Sequence, residues 1–454
     1  MVKQENELNF ESSFWFWILV LIGACLIKGV VFQLDNRPQF FLGDSGVYIN
    51  TALTDSHPND RSYWYGVLIR WIAVNSQSLQ TLLLFQTACG VLSALASGFI
   101  ANRIFPGNRP IIWMTVVLCA LDPVQLLLER YILTESIALL AFSGLLASLV
   151  LIMSGGSWKY MLGAACSCIA LIFLRSSFFP AIICALFFAP LFGLIAKKIS
   201  LTELFYCFLI SASTLSICWS TTSSLKTGQV VLAAWSPLLT SDDFPNKEQG
   251  ERFMEGKNLQ GKDFFNREIT LFRPDGMIHR IRSEISDPDE LDKFSKKVAF
   301  NILRRDFWGV LNLSTTSYGK VWGSDYRMNL MKWDIGQNEL QAPFRDLLRE
   351  KFHLEAEELP SPTLTSNLYL SLGHKTVLLA LIAPLLFVLL ATLSDRRSSL
   401  IICFIGLISA ALLITIFTFS TLPVIRYLHP ICWMVSTLLP AYIIKYLILK
   451  IPKK

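Results

Sequence analysis

The sequence predicts an all-α polytopic membrane protein with about ten transmembrane helices. Hydrophobic residues make up 53% of the 454-residue chain and charged residues only 16%, and the mean hydropathy is +0.48. A soluble globular protein is about one quarter charged. The charged residues are also placed unevenly, since long stretches have none and most of them crowd into residues 241–358. A lipid-embedded chain of this kind must be helical, because an unpaired peptide group in lipid costs several kcal/mol.

Ten apolar runs of membrane-crossing length follow one another along the chain. Each holds roughly 17–25 residues, enough for a helix to cross a hydrocarbon core of about 30 Å. The predicted spans are residues 14–34, 79–101, 110–128, 132–153, 159–175, 176–196, 201–220, 374–394, 398–420 and 424–448. They divide the chain into an N-terminal transmembrane module of seven spans (1–220), an insertion (221–373) and a C-terminal module of three spans (374–454).

The two longest polar segments predict helices outside the bilayer. The loop 35–78 contains two short amphipathic stretches, 45–54 and 62–74, whose aromatic residues suit the membrane interface. In the insertion, residues 241–292 are charged and turn-rich, whereas residues 294–322 carry apolar side chains near helical spacing. We therefore expect a small α-rich cap with one or two helices on the membrane surface.

Basic residues in the short loops set the orientation. A cytoplasmic N-terminus places the basic residues of the short loops and of the C-terminal tail inside. They are Arg103, Arg109, Lys159, Lys197, Lys198, Arg396, Arg397, Lys450, Lys453 and Lys454. This arrangement predicts that both termini are cytoplasmic and that residues 35–78, 122–135 and 221–373 lie outside; the inverted orientation is the alternative.

Several other classes of protein and site are not indicated. All ten cysteines lie within apolar runs and none forms a Cys-x-x-Cys pair, so neither a disulfide framework nor a zinc site is predicted. The net charge of +6 comes from basic residues in short loops, which does not indicate a nucleic-acid partner. There is no βαβ pattern or glycine-rich phosphate loop for a nucleotide-linked donor.

Asp44 is the first candidate site residue. It stands between Gly43 and Ser45 just after the first span, and the glycines nearby permit tight backbone around it. One interpretation is that Asp44 caps a helix beginning at Ser45. The other is a general base, a carboxylate in a partly dehydrated site whose pKa is raised toward the working pH.

Three more carboxylates, Asp122, Glu129 and Glu135, gather at the predicted outer boundary. Glu129 either pairs locally with Arg130 or belongs to a catalytic site. Glu135 either adds negative charge to a helix N-terminus behind the cap residue Thr134 or contributes to the same site. Ionisable groups at the edge of the hydrocarbon are functional candidates by default.

Two arginines lie at the same predicted boundary, at the outer end of the fifth span and the start of the tenth. Arg175 and Arg426 are placed outside, where the positive-inside rule disfavours them. An arginine fork binds phosphate with two hydrogen bonds, and a lipid phosphate would lie at this depth. The alternative for both is a structural ion pair with one of the acidic residues.

These motifs together resemble the GT-C superfamily of membrane glycosyltransferases, which includes protein O-mannosyltransferases and bacterial lipid A aminoarabinose transferases. The resemblance covers residues 14–196 and the last span, and it fades over 221–373. Its carriers are Gly43-Asp44-Ser45 with Tyr48, Leu133-Thr134-Glu135-Ser136, Leu174-Arg175-Ser176 and Arg426-Tyr427-Leu428-His429-Pro430.

The resemblance implies a glycosyltransferase of the outer membrane face that uses a polyprenyl-phosphate-linked sugar donor. It implies an essential acidic residue in the first outer loop, where Asp44 stands, and a multi-pass location in a bacterial inner membrane rather than an endoplasmic reticulum. Many relatives carry two adjacent acidic residues at this place, whereas here Ser45 follows Asp44. Whether a second carboxylate comes from the segment 122–135 stays open.

The predicted reaction is an inverting transfer to a lipid, glycan or protein acceptor. Asp44 is the expected base, and Arg426 with Arg175 and Tyr427 is expected to hold the departing phosphate. Glu129 or Glu135 would orient the acceptor or help to hold a divalent cation, which we keep open as a cofactor. A transporter or lipid flippase is the alternative function, and a membrane scaffold is a third.

Overall fold

The structure is a computed structural model. It describes residues 2–41, 43–58, 61–155, 157–224, 226–254, 271, 276–335, 340–355, 363–420 and 424–445.

The N-terminal module is a series of helices joined by short turns. The helix Tyr63–Ile69 continues into a π-helix over Arg70–Val74, and a 3₁₀ turn, Ser176–Phe178, leads into the helix Phe179–Ile195. The helices are α1 (Val2–Leu34), α2 (Asp44–Thr54), α3 (Tyr63–Ile69), α4 (Leu79–Ile104), α5 (Arg109–Ala120), α6 (Pro123–Leu128), α7 (Glu135–Met153), α8 (Tyr160–Leu174), α9 (Phe179–Ile195) and α10 (Leu201–Ser224).

The predicted span 110–128 is wrong as a single helix. α5 ends at Ala120, and α6 begins at Pro123. Proline restricts the preceding residue to extended backbone, and Asp122 accordingly has ψ 120°. The Asp122 side chain accepts hydrogen bonds from the backbone N–H groups of Val124 and Gln125, both at 3.0 Å, so it caps the second helix.

The insertion is α-rich, as predicted, and it divides between two hydrophobic cores. Its first part builds a core of its own between Leu232 and Val310. Its later part, from Val321 to Phe352, packs into the main core with the transmembrane helices. The helices are α11 (Gly228–Trp235), α12 (Lys247–Met254), α13 (Met277–Glu284), α14 (Pro288–Arg305), α15 (Phe307–Val321), α16 (Ser324–Asp334) and α17 (Ala342–Phe352).

The C-terminal module begins about ten residues before the predicted span 374–394. The helix running from Leu364 to Leu381 bends by 67° into the helix Ala383–Thr392. Pro384 stands in the first turn of the second helix and cannot donate a backbone hydrogen bond. The helices are α18 (Leu364–Leu368, continued by a π-helix over Tyr369–Gly373), α19 (His374–Leu381), α20 (Ala383–Thr392), α21 (Arg396–Phe419) and α22 (His429–Ile443), the last preceded by a 3₁₀ turn, Ile425–Leu428.

The predicted all-α polytopic class is confirmed. Within the described ranges, six helices are long and apolar enough to cross a membrane, or seven if the bent pair is one span. α5 and α8 are shorter apolar helices. The count of ten spans and the orientation stay predictions, and the end of the last predicted span, 446–448, lies outside the described residues together with the lysines of the tail.

Candidate active site

The segment that joins α1 to α2 is tied to the turn between α6 and α7 by hydrogen bonds. The Gln39 N–H donates to the Arg130 carbonyl at 2.7 Å, and the Ile132 N–H donates to the Gln39 carbonyl at 3.0 Å. The Ser45 hydroxyl donates to the Ile132 carbonyl at 3.1 Å. These contacts bring two segments together that lie about ninety residues apart, so the start of α2 lies against the carboxylate-bearing turn.

Asp44 is the first residue of α2 and not its cap. The cap position belongs to Gly43, whose φ of +84° is a left-handed conformation that glycine adopts without strain. No side chain makes a capping hydrogen bond there. The capping interpretation of Asp44 is therefore wrong, and its carboxylate is directed to other partners.

Two arginines hold the Asp44 carboxylate, one on each oxygen. Arg61 contacts Oδ1 through Nε at 2.9 Å and Nη2 at 2.6 Å, and Arg426 contacts Oδ2 through Nη2 at 2.7 Å. Burial on its own would raise the pKa of the Asp44 carboxyl, but the charges of Arg426 and Arg61 and their hydrogen bonds hold this pKa below its ordinary value. Asp44 is therefore ionised at neutral pH.

Glu135 joins the two predicted phosphate-binding arginines. Its Oε1 lies 3.0 Å from Arg175 Nη1 and 3.7 Å from Arg426 Nη1. Both guanidinium groups also lie over the Tyr427 ring, at 4.8 Å for Arg175 and 5.4 Å for Arg426, and Phe41 covers Arg426 at 3.9 Å. The structural ion pairs left open for both arginines are thus present. Asp44, Glu135, Arg175, Arg426 and Tyr427 form one cluster, which we call the charged cluster.

A carboxylate from the insertion supports the backbone of this cluster. Asp334, the last residue of α16, accepts hydrogen bonds at 2.9 Å from the Arg426 backbone N–H and from the Tyr369 hydroxyl. The next residue, Ile335, accepts a hydrogen bond through its carbonyl from the Tyr131 hydroxyl. The end of α16 therefore fixes three segments of the transmembrane modules around the cluster.

Burial raises the pKa of Asp334 to about 7, although Arg426 and the Tyr369 hydrogen bond oppose this shift. Its Oδ1 is buried without a hydrogen-bond partner, and Glu135 and Tyr131 are the other titratable groups that act on it or respond to it. A folded-state pKa above the unfolded value means that the folded protein retains a proton which the unfolded chain releases. The resulting stabilisation is fully present below about pH 4 and is lost as the pH rises to about 7.

An Asp334→Asn variant should not lose stability in this way as the pH rises from about 4 to about 7. Asparagine resembles the protonated acid and can accept the same two hydrogen bonds. We expect its thermal midpoint to fall less than that of the wild type, by a few degrees, between pH 4.5 and 7.5. Thermal unfolding of the purified protein at a series of pH values measures this difference. Asp325→Asn, an exposed position on the same helix, should follow the wild type. Parallel curves for all three proteins would refute the assignment.

Glu129, a predicted site residue, does not join the charged cluster. Its Oε1 accepts hydrogen bonds from Lys28 Nζ at 2.6 Å and from Gln125 Nε2 at 2.8 Å, and the Lys28 and Glu129 side chains are 1% and 0% exposed. Lys28, not Arg130, is its charged partner. A Cβ atom on Gly90 would lie 1.8 Å from Oε1, so the glycine gives the carboxylate its space on α4.

The charged cluster suits an anion better than a metal ion. Each of its two carboxylates faces arginine side chains, whose positive charge disfavours a cation. Among the described residues, no group of three or more His, Cys, Asp or Glu side chains is arranged to hold a metal ion. Glu129 and Glu135 have different basic partners, Lys28 and Arg175, and neither carboxylate is positioned beside the other.

Sequence reasoning missed Arg61, Asp334 and the role of Lys28. A signal existed for Lys28, because a lysine within a predicted span needs a charged partner. Arg61 carried the same signal as Arg175, a basic residue in a predicted outer loop. Asp334 gave no such signal, because its partners Tyr369 and Arg426 lie 35 and 92 positions further along the chain.

No protein-family model and no curated protein matches this chain. The chain is similar to two solved structures of ArnT from Cupriavidus metallidurans, at 12% sequence identity. The structure of that protein bound to undecaprenyl phosphate aligns with a TM-score of 0.33 and covers 89% of this chain and 77% of that chain. Its apo structure aligns with a TM-score of 0.34 and covers 90% and 78%.

Proposed function

We propose that this protein is a glycosyltransferase that moves a sugar from a polyprenyl-phosphate-linked donor to an acceptor on the outer face of the membrane. The observation that carries the proposal is the Asp44 carboxylate held between Arg61 and Arg426 beside the Glu135–Arg175 pair. An ionised carboxylate is a proton acceptor, and adjacent guanidinium groups are suited to a phosphate. This combination fits a transfer in which a hydroxyl or amine attacks and a lipid phosphate leaves.

Arg426 couples the two halves of the proposed reaction. In the resting protein it neutralises Asp44 across a 2.7 Å contact. A donor phosphate would compete for the guanidinium group, and Arg175 at the edge of the cluster would add a second positive charge. Once Arg426 turns to the phosphate, Asp44 loses a positive neighbour and its pKa rises toward the working pH. Donor binding would thus activate the base.

The proposed step inverts the anomeric carbon. An acceptor oxygen or nitrogen forms a bond to that carbon while the bond to the phosphate oxygen breaks on the opposite side. Asp44 takes the proton of the acceptor, and the electron pair of the broken bond stays on the phosphate, where Arg426 and Arg175 offset its charge. Glu135 fixes the two arginines through Oε1.

Transport is the competing function, and one feature of the fold is common among transporters: a broken apolar helix. Here the break at Ile382 is satisfied locally, because the Tyr318 hydroxyl donates to the Leu381 carbonyl at 2.8 Å. The charged cluster is built instead from α2, α7, the end of α8 and the turn before α22. These positions favour chemistry at helix ends over a path through the bilayer.

The proposal is tested by mass spectrometry of lipids and glycans from cells of the source organism that lack this protein. We expect one envelope lipid, glycan or protein to lose a single sugar, and the polyprenyl-phosphate sugar that supplies it to accumulate. Wild-type protein should restore the sugar, and an Asp44→Asn protein should not. An unchanged set of glycans together with altered uptake of a small solute would support transport instead.

A further inference from the structure

A cavity adjoins the charged cluster on the side of Arg61. It has a volume of about 380 Å³ and lies between the loop before α3 and the outer ends of α8 and α10. Arg61 lines it, whereas neither Arg426 nor Arg175 does. The same Arg61 side chain contacts Asp44 Oδ1, so Arg61 links the cavity to the proposed base at the oxygen that does not face Arg426.

The lining of this cavity is cationic on one part and aromatic on another. Arg61 and Lys226 provide positive charge, and His57 contributes ring nitrogens. Trp64 and Phe173 form the aromatic part, with ring centroids 5.2 Å apart, and Trp64 is half exposed. Such a surface binds an anionic group through the cations and the apolar faces of sugar rings or acyl chains through the aromatics.

Lys226 forms an ion pair with a solvent-exposed carboxylate. Its side chain is 21% exposed, and it lies 3.5 Å from the carboxylate of Asp289, which is itself 73% exposed. Exposed ion pairs of this kind contribute about 0–1 kcal/mol, so an anion in the cavity would compete readily with Asp289.

We infer that this cavity binds the acceptor and that the acceptor carries a phosphate or carboxylate group. The inference rests on the proposed function. An in-line transfer needs the leaving phosphate and the attacking group on opposite sides of the anomeric carbon. Arg426 and Arg175 hold the phosphate next to Asp44 Oδ2, which leaves the acceptor to approach on the Oδ1 side, past Arg61. The attacking hydroxyl or amine then gives its proton to Asp44, while the anionic group of the acceptor remains on Arg61 and Lys226.

The test measures binding of four probes to the full chain in nanodiscs by surface plasmon resonance. The probes are glucose 6-phosphate, glucose, dihexanoyl phosphatidic acid and dihexanoylglycerol. We expect at least one phosphate probe to bind more tightly than its uncharged counterpart, by on the order of tenfold. Preference for the lipid phosphate indicates a membrane-bound acceptor, preference for the sugar phosphate indicates a soluble glycan, and either supports the inference.

Variants separate this cavity from general surface charge. Lys226→Gln should lose most of the preference for phosphate, and Lys226→Arg should keep it. Lys293→Gln, an exposed lysine on α14 outside the cavity, should bind as the wild type does. Equal affinities for charged and uncharged probes, or an undiminished preference in Lys226→Gln, would overturn the inference.

A competition experiment separates acceptor from donor. The phosphate probe should bind with unchanged affinity when polyprenyl phosphate is saturating, because the two occupy different sides of Asp44. Displacement by polyprenyl phosphate would assign the cavity to the donor and refute the acceptor inference. Failure of the proposed function looks different, since cells that lack this protein would then keep an unchanged set of glycans whatever the probes bind.

Discussion

Replacement of Asp44 by asparagine is expected to lower the rate of sugar transfer by about 10²–10⁴-fold, the range found when one general base is removed. Asparagine matches the shape of the carboxylate but cannot take a proton from the acceptor. It also removes the negative charge that attracts Arg426 across the 2.7 Å contact, so the donor phosphate should compete for a less strongly held guanidinium group. We therefore expect donor affinity to stay equal or to rise while the rate of transfer falls.

Two measurements keep this result apart from misfolding. Transfer is followed in membranes with a radiolabelled polyprenyl-phosphate sugar, and donor binding is followed on the purified variant. Asp55→Asn is the matched control: Asp55 follows the same helix, pairs with Arg70 at 2.8 Å and is 58% exposed, so its replacement should leave transfer nearly unchanged. A folded Asp44→Asn protein with full transfer activity would remove Asp44 from the mechanism.

The sequence predicted the membrane helices well where one apolar run fills one helix, as in α4, α7 and α10. It failed where backbone chemistry interrupts a run. The run 110–128 has Asp122 as its one charged residue, yet Pro123 and the Asp122 cap divide it into α5 and α6. Hydropathy averages over such a break, whereas the Asp-Pro pair within it is the signal that could have placed the boundary.

The site was predicted in part for a similar reason. Position at the edge of a predicted span was sufficient to select Asp44, Glu135, Arg175 and Arg426. A charged side chain near the hydrocarbon costs free energy, so it is a functional candidate by default. The same rule could not say which charges meet. Glu129 stands six residues before Glu135, yet it points to Lys28 while Glu135 points to Arg175. That choice depends on the packing of α1 and α4 around the turn, which no local pattern encodes.

The Lys28–Glu129 pair is expected to produce the largest change in stability. Both side chains are buried, and removal of one partner leaves the other as an uncompensated charge, at a cost of about 3–5 kcal/mol. Lys28→Met should therefore lower the thermal midpoint of the purified protein by on the order of 3–5 °C. The effect should be large because the Glu129 Oε2 atom already lacks a hydrogen-bond partner. The carboxylate therefore has no second cation or donor at that oxygen to compensate for the loss of Lys28.

The double variant Lys28→Met with Glu129→Gln distinguishes a charge effect from lost packing. It removes both charges, and the glutamine introduced in place of Glu129 can still accept the hydrogen bond from Gln125, so it should be more stable than Lys28→Met alone. Lys159→Met, an exposed lysine before α8, is the control and should shift the midpoint little. If the double variant is as unstable as Lys28→Met, lost packing of the lysine stem rather than lost charge accounts for the instability. If Lys28→Met is as stable as the wild type, the carboxyl of Glu129 tolerates burial without a cation. The ion pair then does not contribute to holding α1 against the turn between α6 and α7.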